Sequence, residues 1–205
     1  GVTLHLDQYI EAADLTVLLA DIIILATGAH LRPPEEFTLV DGPLISGRDY
    51  LKGEGRNVIS HYKKAILIDQ DQTAATYGLA NQLAADFDEL VIVTTRPHFA
   101  QSVNYCSSIG VYRRLYSAGV TLIPAVKPVH MASGTVILEN VYGAPERVIE
   151  NVNAVIYVTP RRVIDGLEPR EIAKVSAEIL RIGDCRSPRN LMAAIHGGHH
   201  AAISV

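Results

Sequence analysis

Ile182-Gly183-Asp184-Cys185-Arg186-Ser187-Pro188-Arg189-Asn190-Leu191-Met192-Ala193-Ala194-Ile195 carries the main structural signal of this chain. Ile179 to Ile182 is an apolar run of strand length that ends directly on Gly183-Asp184. Pro188 marks a turn, and an amphipathic helix is expected from about Asn190 to the C-terminus. Doubly wound α/β folds hold their ligands outside the carboxyl ends of the strands, where Asp184 would stand. A helix start beside it offers unpaired N–H groups and a positive dipole end, which suit a phosphate or a polarised carbonyl.

A second stretch pairs with the first. Asp21-Ile22-Ile23-Ile24-Leu25-Ala26-Thr27-Gly28-Ala29 reads as an apolar strand breaking into a small-residue turn. Strand-Ala26-Thr27-Gly28 early and strand-Gly183-Asp184 late resembles the two-domain FAD/NAD(P)-binding fold of the pyridine nucleotide-disulfide oxidoreductase superfamily. The nearest resemblance is to the C-terminal region of trimethylamine dehydrogenase-like and 2,4-dienoyl-CoA reductase-like NADH:flavin oxidoreductases. Gly183-Asp184-Cys185, Pro188-Arg189 and Ala193-Ala194-Ile195 are its specific element, whereas Ala26-Thr27-Gly28 alone is weak. The resemblance covers nearly the whole chain but only part of the family's length. The expected fold class is α/β: an incomplete parallel-sheet nucleotide-binding domain with a Rossmann-like domain inserted in it.

Composition fits such a fold. In 205 residues, 48% are hydrophobic, enough for one or two domains with buried cores. Apolar runs such as Ile22 to Ala26 and Ala65 to Ile68 are about five residues long, against roughly 20 for a membrane span. A net charge of −4 leaves no basic footprint, so nucleic acid is not an expected partner. Cys106 and Cys185 stand far apart with no C-x-x-C, which argues against a zinc or iron–sulfur site and a redox disulfide. They read as small, inert residues, and a reducing cytoplasm is the default compartment. The chain begins at Gly1 without a signal-like segment, so it reads as a cleaved product or a piece of a longer chain.

In order, Val2 to Leu6 is expected as a strand and Asp14 to Leu19 as a turn or short helix. Ala29 to Gly47, with Pro33, Pro34 and Pro43, reads as a surface connection, and the domain crossing is expected within Leu51 to Lys63. Ala65 to Ile68, Thr73 to Ala85 and Leu90 to Val93 form a βαβ unit, implying a right-handed parallel crossover. A helix over Ser108 to Ser117 and a strand over Val120 to Ile123 follow. Val126 to Met131, Val136 to Leu138 and Val148 to Ile149 are expected as antiparallel strands, with Ser133-Gly134 as a hairpin turn. Val155 to Val158 closes the inserted domain at Pro160, and Glu168 to Ala173 reads as a helix. The expected division is a partial FAD- or ADP-binding domain of residues 1–55 and 159–205 around an inserted NAD(P)-binding-like domain of residues 60–158.

The inserted unit should carry G-x-G-x-x-G after Ile68, and it carries Asp69-Gln70-Asp71-Gln72-Thr73-Ala74 instead. Aspartates replace the glycines of the tight turn and of the pyrophosphate approach, and their charge opposes a dianion. Asp71 is a natural N-cap for the following helix, so a built-in carboxylate stands in for the missing phosphate. Arg96 at the end of the second strand matches NADP 2′-phosphate recognition in type, but without the glycines NAD(P) binding is not expected here. Trimethylamine dehydrogenase-like proteins make the same departure, which makes this domain vestigial by resemblance.

By resemblance, Asp184 with Gly183 contacts the ribityl or diphosphate region of FAD, and Ala26, Thr27 and Gly28 approach the adenosine side. Asn190, Leu191 and Met192 would offer N–H groups at the helix start, with the Leu191 and Met192 side chains in the core. The bland alternatives are a turn-capping Asp184 and an ordinary strand-end turn at Gly28. His196, His199 and His200 are spaced for one helical face, but no carboxylate or cysteine joins them and Gly197-Gly198 weakens the helix. A frayed polar face is expected there rather than a metal site. Tyr105, Tyr112 and Tyr116 at helical spacing read as packing residues. No residue reads as catalytic. The family's first G-x-G-x-x-G unit, its FMN barrel and its iron–sulfur cluster have no counterpart here, so they would lie on another segment or a partner subunit of an oligomer. The expectation is a FAD- or ADP-binding module of a flavin-dependent oxidoreductase acting on amines, N-methylated compounds or enoyl compounds. The alternative is a non-catalytic structural or interaction subunit with vestigial nucleotide-binding folds.

Overall fold

The computed structural model describes residues 1–59, 61–164 and 175–204. In chain order its first elements are α1 (Ala12–Val17), β1 (Ile22–Leu25), β2 (Ala29–His30), β3 (Thr38–Leu39), β4 (Leu44–Ser46) and α2 (Gly47–Lys52). Then come β5 (Lys64–Asp69), α3 (Ala74–Asp86), β6 (Glu89–Val93), α4 (Tyr105–Ser117), β7 (Thr121–Ile123), β8 (Val126–Ala132) and β9 (Thr135–Asn140). The described elements end with β10 (Arg147–Ile149), β11 (Ala154–Val158), β12 (Arg162–Val163), β13 (Glu178–Arg181) and α5 (Leu191–Ile203). The helix expected over Glu168 to Ala173 lies outside the described residues.

Two compact units form, Gly1–His30 with Arg161–Val205, and Leu31–Pro160. In the first unit β1 and β13 pair in parallel, with Ile22 opposite Glu178 and Leu25 opposite Arg181. Strands β2 and β12 pair antiparallel through His30–Arg162 and Ala29–Val163. Alternation along β1 sends Ile23 and Leu25 inward to Leu15 and Cys185, while Ile24 remains 46% exposed. Val2 to Leu6, expected as a strand, forms no regular element, and Val2, Leu4 and Leu6 are exposed. An alternating run becomes a strand only where a neighbour completes its ladder, and none of the described strands pairs with it.

The second unit has three layers. Its middle is a five-stranded parallel sheet in the order β4-β11-β5-β6-β7. Both faces of β5 are covered, which is why Ala65-Ile66-Leu67-Ile68 is apolar without alternation. Ala65 and Leu67 face the helical layer with Tyr77, Leu83 and Leu115, whereas Ile66 and Ile68 face Val126, Met131, Val136 and Leu138. The latter belong to a second sheet, β10-β9-β8-β3, in which β8, β9 and β10 run antiparallel and β3 joins in parallel. Ser133 (φ 50°) and Gly134 (φ 72°) make the β8–β9 turn, the double positive φ that favours such a hairpin.

Residues 31–55, expected with the terminal segments, belong to this second unit. Strand β4 pairs with β11, and Ile45 and Tyr50 lie in the helical-side core. Gly47 fits there because it lacks a side chain: a Cβ would stand 2.5 Å from Leu79 Cδ2 and 2.9 Å from Val158 Cγ2. The prolines that suggested a surface connection only interrupt a segment anchored by its apolar residues. The crossing therefore falls at residues 30–31 rather than within Leu51 to Lys63. Tyr105 and Tyr116, expected as packing residues, are exposed, while Tyr112 is half-buried and its hydroxyl accepts the Phe99 N–H (3.2 Å) and donates to the Phe99 carbonyl (3.0 Å). Cys106 is exposed and Cys185 buried.

Candidate functional site

In the first unit, parallel pairing of β1 and β13 brings two distant sequence stretches to one sheet edge. Ala26-Thr27-Gly28 leaves β1 beside Gly183-Asp184 leaving β13, and the Ile182 N–H donates to the Leu25 carbonyl at 3.0 Å. Thr27 Oγ1 donates to the Ile164 carbonyl (3.2 Å), and Gly28 takes a left-handed φ of 80°. A Cβ on Gly28 would meet nothing within 4 Å, so its backbone faces open space.

Gly183 has φ 59° and starts a single 3-10 turn over Gly183–Cys185. Asp184 is fixed from both sides: it accepts from Arg161 Nη1 and, at 3.0 Å, from the Arg189 N–H. Arg161 also donates to the Arg189 carbonyl, so one guanidinium and one carboxylate close the 184–189 turn. Asn190 caps α5, its Oδ1 accepting the Ala193 N–H at 2.9 Å. The N–H groups of Leu191 and Met192 stand ahead of the intrahelical ladder. Their side chains, expected in the core, are 77% and 68% exposed. The reason is steric: α5 turns its small face to the strand end, with Ala194 Cβ 3.4 Å from the place a Gly183 Cβ would take. The apolar face of Leu191, Met192 and Ile195 is left outward. The helix also runs unbroken through Gly197-Gly198, where fraying was expected. Among the described residues no group of three His, Cys, Asp or Glu side chains converges as metal ligands would.

Between the β13 end and α5 lies a cavity of about 460 Å³. Arg181, Arg186, Arg189, His196 and His200 are among the described residues that line it. The sequence reading named Arg189 only as part of the resemblance and passed over Arg161, Arg181 and Arg186. A signal existed: a strand-end aspartate needs a cation, and positions 193, 196, 197, 200, 201 and 204 repeat at helical spacing.

The second unit's strand-end loop is organised differently. Asp69 is fully buried, its Oδ1 accepting the Gln72 N–H (2.8 Å) and its Oδ2 the Tyr77 hydroxyl (2.7 Å). Tyr77 in turn accepts the Ala100 N–H at 2.6 Å. Burial pushes the Asp69 carboxyl up to about 6; the bonds from Tyr77 and Gln72 oppose the rise, and the charge of Asp71 adds to it. Burial and the Asp69 charge push the Tyr77 hydroxyl up as well. Asp71 accepts from the Thr73 N–H (3.0 Å) and from Thr76 Oγ1. Thr73, not Asp71, occupies the N-cap position of α3, although Asp71 supplies the acceptor.

Gln72, with φ 55°, occupies a left-handed position and sends its amide across the loop. Its Nε2 donates to Thr94 Oγ1 and to the His98 carbonyl, both at 2.9 Å, and its Oε1 accepts the Gln101 N–H at 3.1 Å. Nothing in its sequence context marks Gln72 as the residue that would bridge the loop. The loop thus satisfies its own polar groups where a dinucleotide diphosphate would need open N–H groups and glycines.

A parallel strand-end site in one unit and a parallel sheet backed by an antiparallel sheet in the other define a two-domain FAD/NAD(P)-binding fold. No protein-family model matches the sequence, and no curated protein matches it. Among solved structures, histamine dehydrogenase from Rhizobium sp. 4-9 superposes on 97% of this chain with TM-score 0.84 and 20% identity. The 6-hydroxypseudooxynicotine amine oxidase from Pseudomonas geniculata N1 matches 97% with TM-score 0.80 and 22% identity. A 2-naphthoyl-CoA reductase matches 96% with TM-score 0.79 and 19% identity. The chain spans 33%, 31% and 28% of these three proteins. The flavoprotein disulfide reductase RclA from Escherichia coli matches 89% with TM-score 0.64 and 12% identity. The resemblance read from Ala26-Thr27-Gly28 and Gly183-Asp184 therefore holds at the level of fold. No described helix is long and apolar enough to cross a membrane.

Proposed function

We propose that this chain is the nucleotide-binding portion of a flavin-dependent oxidoreductase, with FAD, or ADP as a non-redox remnant, at the strand ends of the first unit. The observation that carries the reading is the juxtaposition of Ala26-Thr27-Gly28 with Gly183-Asp184, followed by the start of α5. FAD would supply hydride and single-electron chemistry. The residues fit its recognition in part. Asp184 spends one lone pair of each oxygen on Arg161 and Arg189, leaving acceptor capacity for a ribose or ribityl hydroxyl. Gly28 and the Leu191 and Met192 N–H groups offer open backbone. The second unit does not fit a dinucleotide, because Gln72 and Asp69 fill its loop.

On this reading the reacting flavin is an FMN on a further segment or a partner subunit of an oligomer, with any iron–sulfur cluster there too. The substrates are amines, N-methylated compounds or enoyl compounds, and the compartment is the cytoplasm. The names of three of the structural neighbours, a histamine dehydrogenase, an amine oxidase and a naphthoyl-CoA reductase, support that substrate range. A second reading, a structural subunit with vestigial folds, is favoured by the self-satisfied loop at Asp69–Gln72. Calorimetric titration of purified protein with FAD and with ADP separates them. Binding of either in the micromolar range, weakened at least about tenfold in Asp184→Ala, supports the nucleotide reading. No heat with either ligand, together with no nucleotide released on denaturation, leaves the structural reading.

A further inference from the structure

We infer that the solvent face of α3 and α4 in the second unit is a dimer interface, through which two copies of this chain pair about a two-fold axis. The inference goes beyond the nucleotide reading and does not rest on it. Both helices cover the same face of the parallel sheet, sending Tyr77 and Leu83 of α3 and Val111 and Leu115 of α4 into one core. What they leave outward differs. On α4, Tyr105, Ile109, Tyr112 and Tyr116 recur at steps of four, three and four, which puts them in one stripe. Tyr105 and Tyr116 are 79% and 67% exposed, and Ile109 is exposed between them. On α3, Ala74, Gly78, Asn81 and Ala85 recur at the same steps, and a Cβ on Gly78 would meet nothing within 4 Å.

The bulky stripe is complementary to the small one in shape and in charge, and both stand on the same chain. A two-fold axis along the groove between the helices lays α4 of each copy over α3 of the other, with the two helices running the same way. Matched steps then set Tyr105, Ile109 and Tyr116 against the small side chains of the partner's α3, as knobs against a flat surface. Arg113 and Arg114 near the end of α4 are exposed, and α4 carries no carboxylate. Helix α3 carries no Lys or Arg, ends at Asp86 and is followed by exposed Asp88. The same pairing therefore brings arginines to the acidic end of the partner's α3, once on each side of the axis. The anchor is already held in place: the Tyr112 hydroxyl is tied to the Phe99 backbone, and the Tyr116 ring stacks on Tyr112 at 6.3 Å. Each helix has 13 residues, about 20 Å of length. Two such helices side by side give a face at the small end of specific interfaces, so a micromolar, concentration-dependent dimer is expected.

The test is sedimentation velocity of the full chain from about 1 to about 200 μM, repeated with Gly78→Gln and with Ile109→Glu. A monomer that becomes a dimer with rising concentration, with each variant raising the dissociation constant at least about tenfold, supports the inference. Gly78→Gln is the sharper variant. Its side chain has open space within one copy, and replacing a helical glycine favours the fold, so a lost dimer would not reflect unfolding. Circular dichroism checks that both variants keep their helices. Arg113→Glu is expected to weaken the dimer, and adding Asp88→Lys to the same chain to restore part of the loss, because each contact then pairs reversed charges. A dimer that Gly78→Gln and Ile109→Glu leave unchanged overturns the inference, since the copies then meet elsewhere. A monomer at every concentration overturns it too and leaves the stripe to a different polypeptide.

Discussion

Replacing Asp69 by Asn tests whether the second unit's closed loop holds a strained carboxyl. Asp69 has no exposed surface and accepts two hydrogen bonds, from the Gln72 N–H and the Tyr77 hydroxyl. Its burial raises the carboxyl from its ordinary 3.8 to about 6. A folded state that holds the proton more tightly than the unfolded chain is most favoured below about pH 3.8, and that advantage is lost as pH rises to about 6. Each unit of displacement corresponds to about 1.36 kcal/mol, so ionising Asp69 costs the folded unit about 3 kcal/mol by pH 7. Asp69→Asn cannot ionise and does not show that loss. It does place an amide N–H₂ opposite the Tyr77 hydroxyl, a pH-independent penalty of about 1–3 kcal/mol. Urea unfolding of both proteins at pH 4, 5, 6 and 7, followed by tyrosine fluorescence, isolates the effect because other titrations cancel in the difference. The advantage of the parent protein over the variant should shrink by about 2 kcal/mol between pH 4 and pH 7, mostly below pH 6. A difference that stays constant, or that grows with pH, refutes the argument from burial.

Two further outcomes follow from the same loop. Tyr77→Phe removes the donor to Asp69 and the acceptor of the Ala100 N–H, leaving both groups buried, and should cost about 2–4 kcal/mol in urea unfolding; a change below about 0.5 kcal/mol would show that water replaces the hydroxyl. Titration with NADPH should give no binding in the micromolar range, because Asp69, Asp71 and Gln72 occupy the loop; micromolar affinity would mean that the loop opens.

The parallel core was legible because each of its strands is apolar on both faces, as Ala65 to Ile68 and Leu90 to Val93 show. The β8–β9 hairpin was legible because Ser133-Gly134 accepts two positive φ values in succession. The place of residues 31–55 was not. Their prolines speak locally for a loop, while the contacts that decide the matter are distant in sequence, Gly47 with Val158 and β4 with β11. The same limit hid part of the site. Gly183-Asp184 and Ala26-Thr27-Gly28 announce strand ends, but the Arg161 that holds Asp184 becomes visible only when the turn folds back on it. Leu191 and Met192 misled because an apolar residue on a helix says that a face is apolar, not that this unit covers it.

The two strand-end loops show opposite solutions to one electrostatic problem. A loop at the carboxyl end of a parallel sheet, leading into a helix, gathers N–H groups that need an acceptor. In the second unit the acceptors are internal: Asp69 takes the Gln72 N–H, Asp71 takes the Thr73 N–H, and Gln72 ties the loop to Thr94, His98 and Gln101. Such a loop is complete without a ligand, and a diphosphate entering it would have to displace a buried network whose groups would then go unpaired. In the first unit only part of that demand is met from within. Asp184 takes the Arg189 N–H and Asn190 takes the Ala193 N–H, while the first N–H groups of α5 precede its intrahelical ladder. The nucleotide proposal therefore rests on the first unit, where the opening N–H groups of α5 have no intrahelical acceptor, and not on the self-satisfied loop of the second.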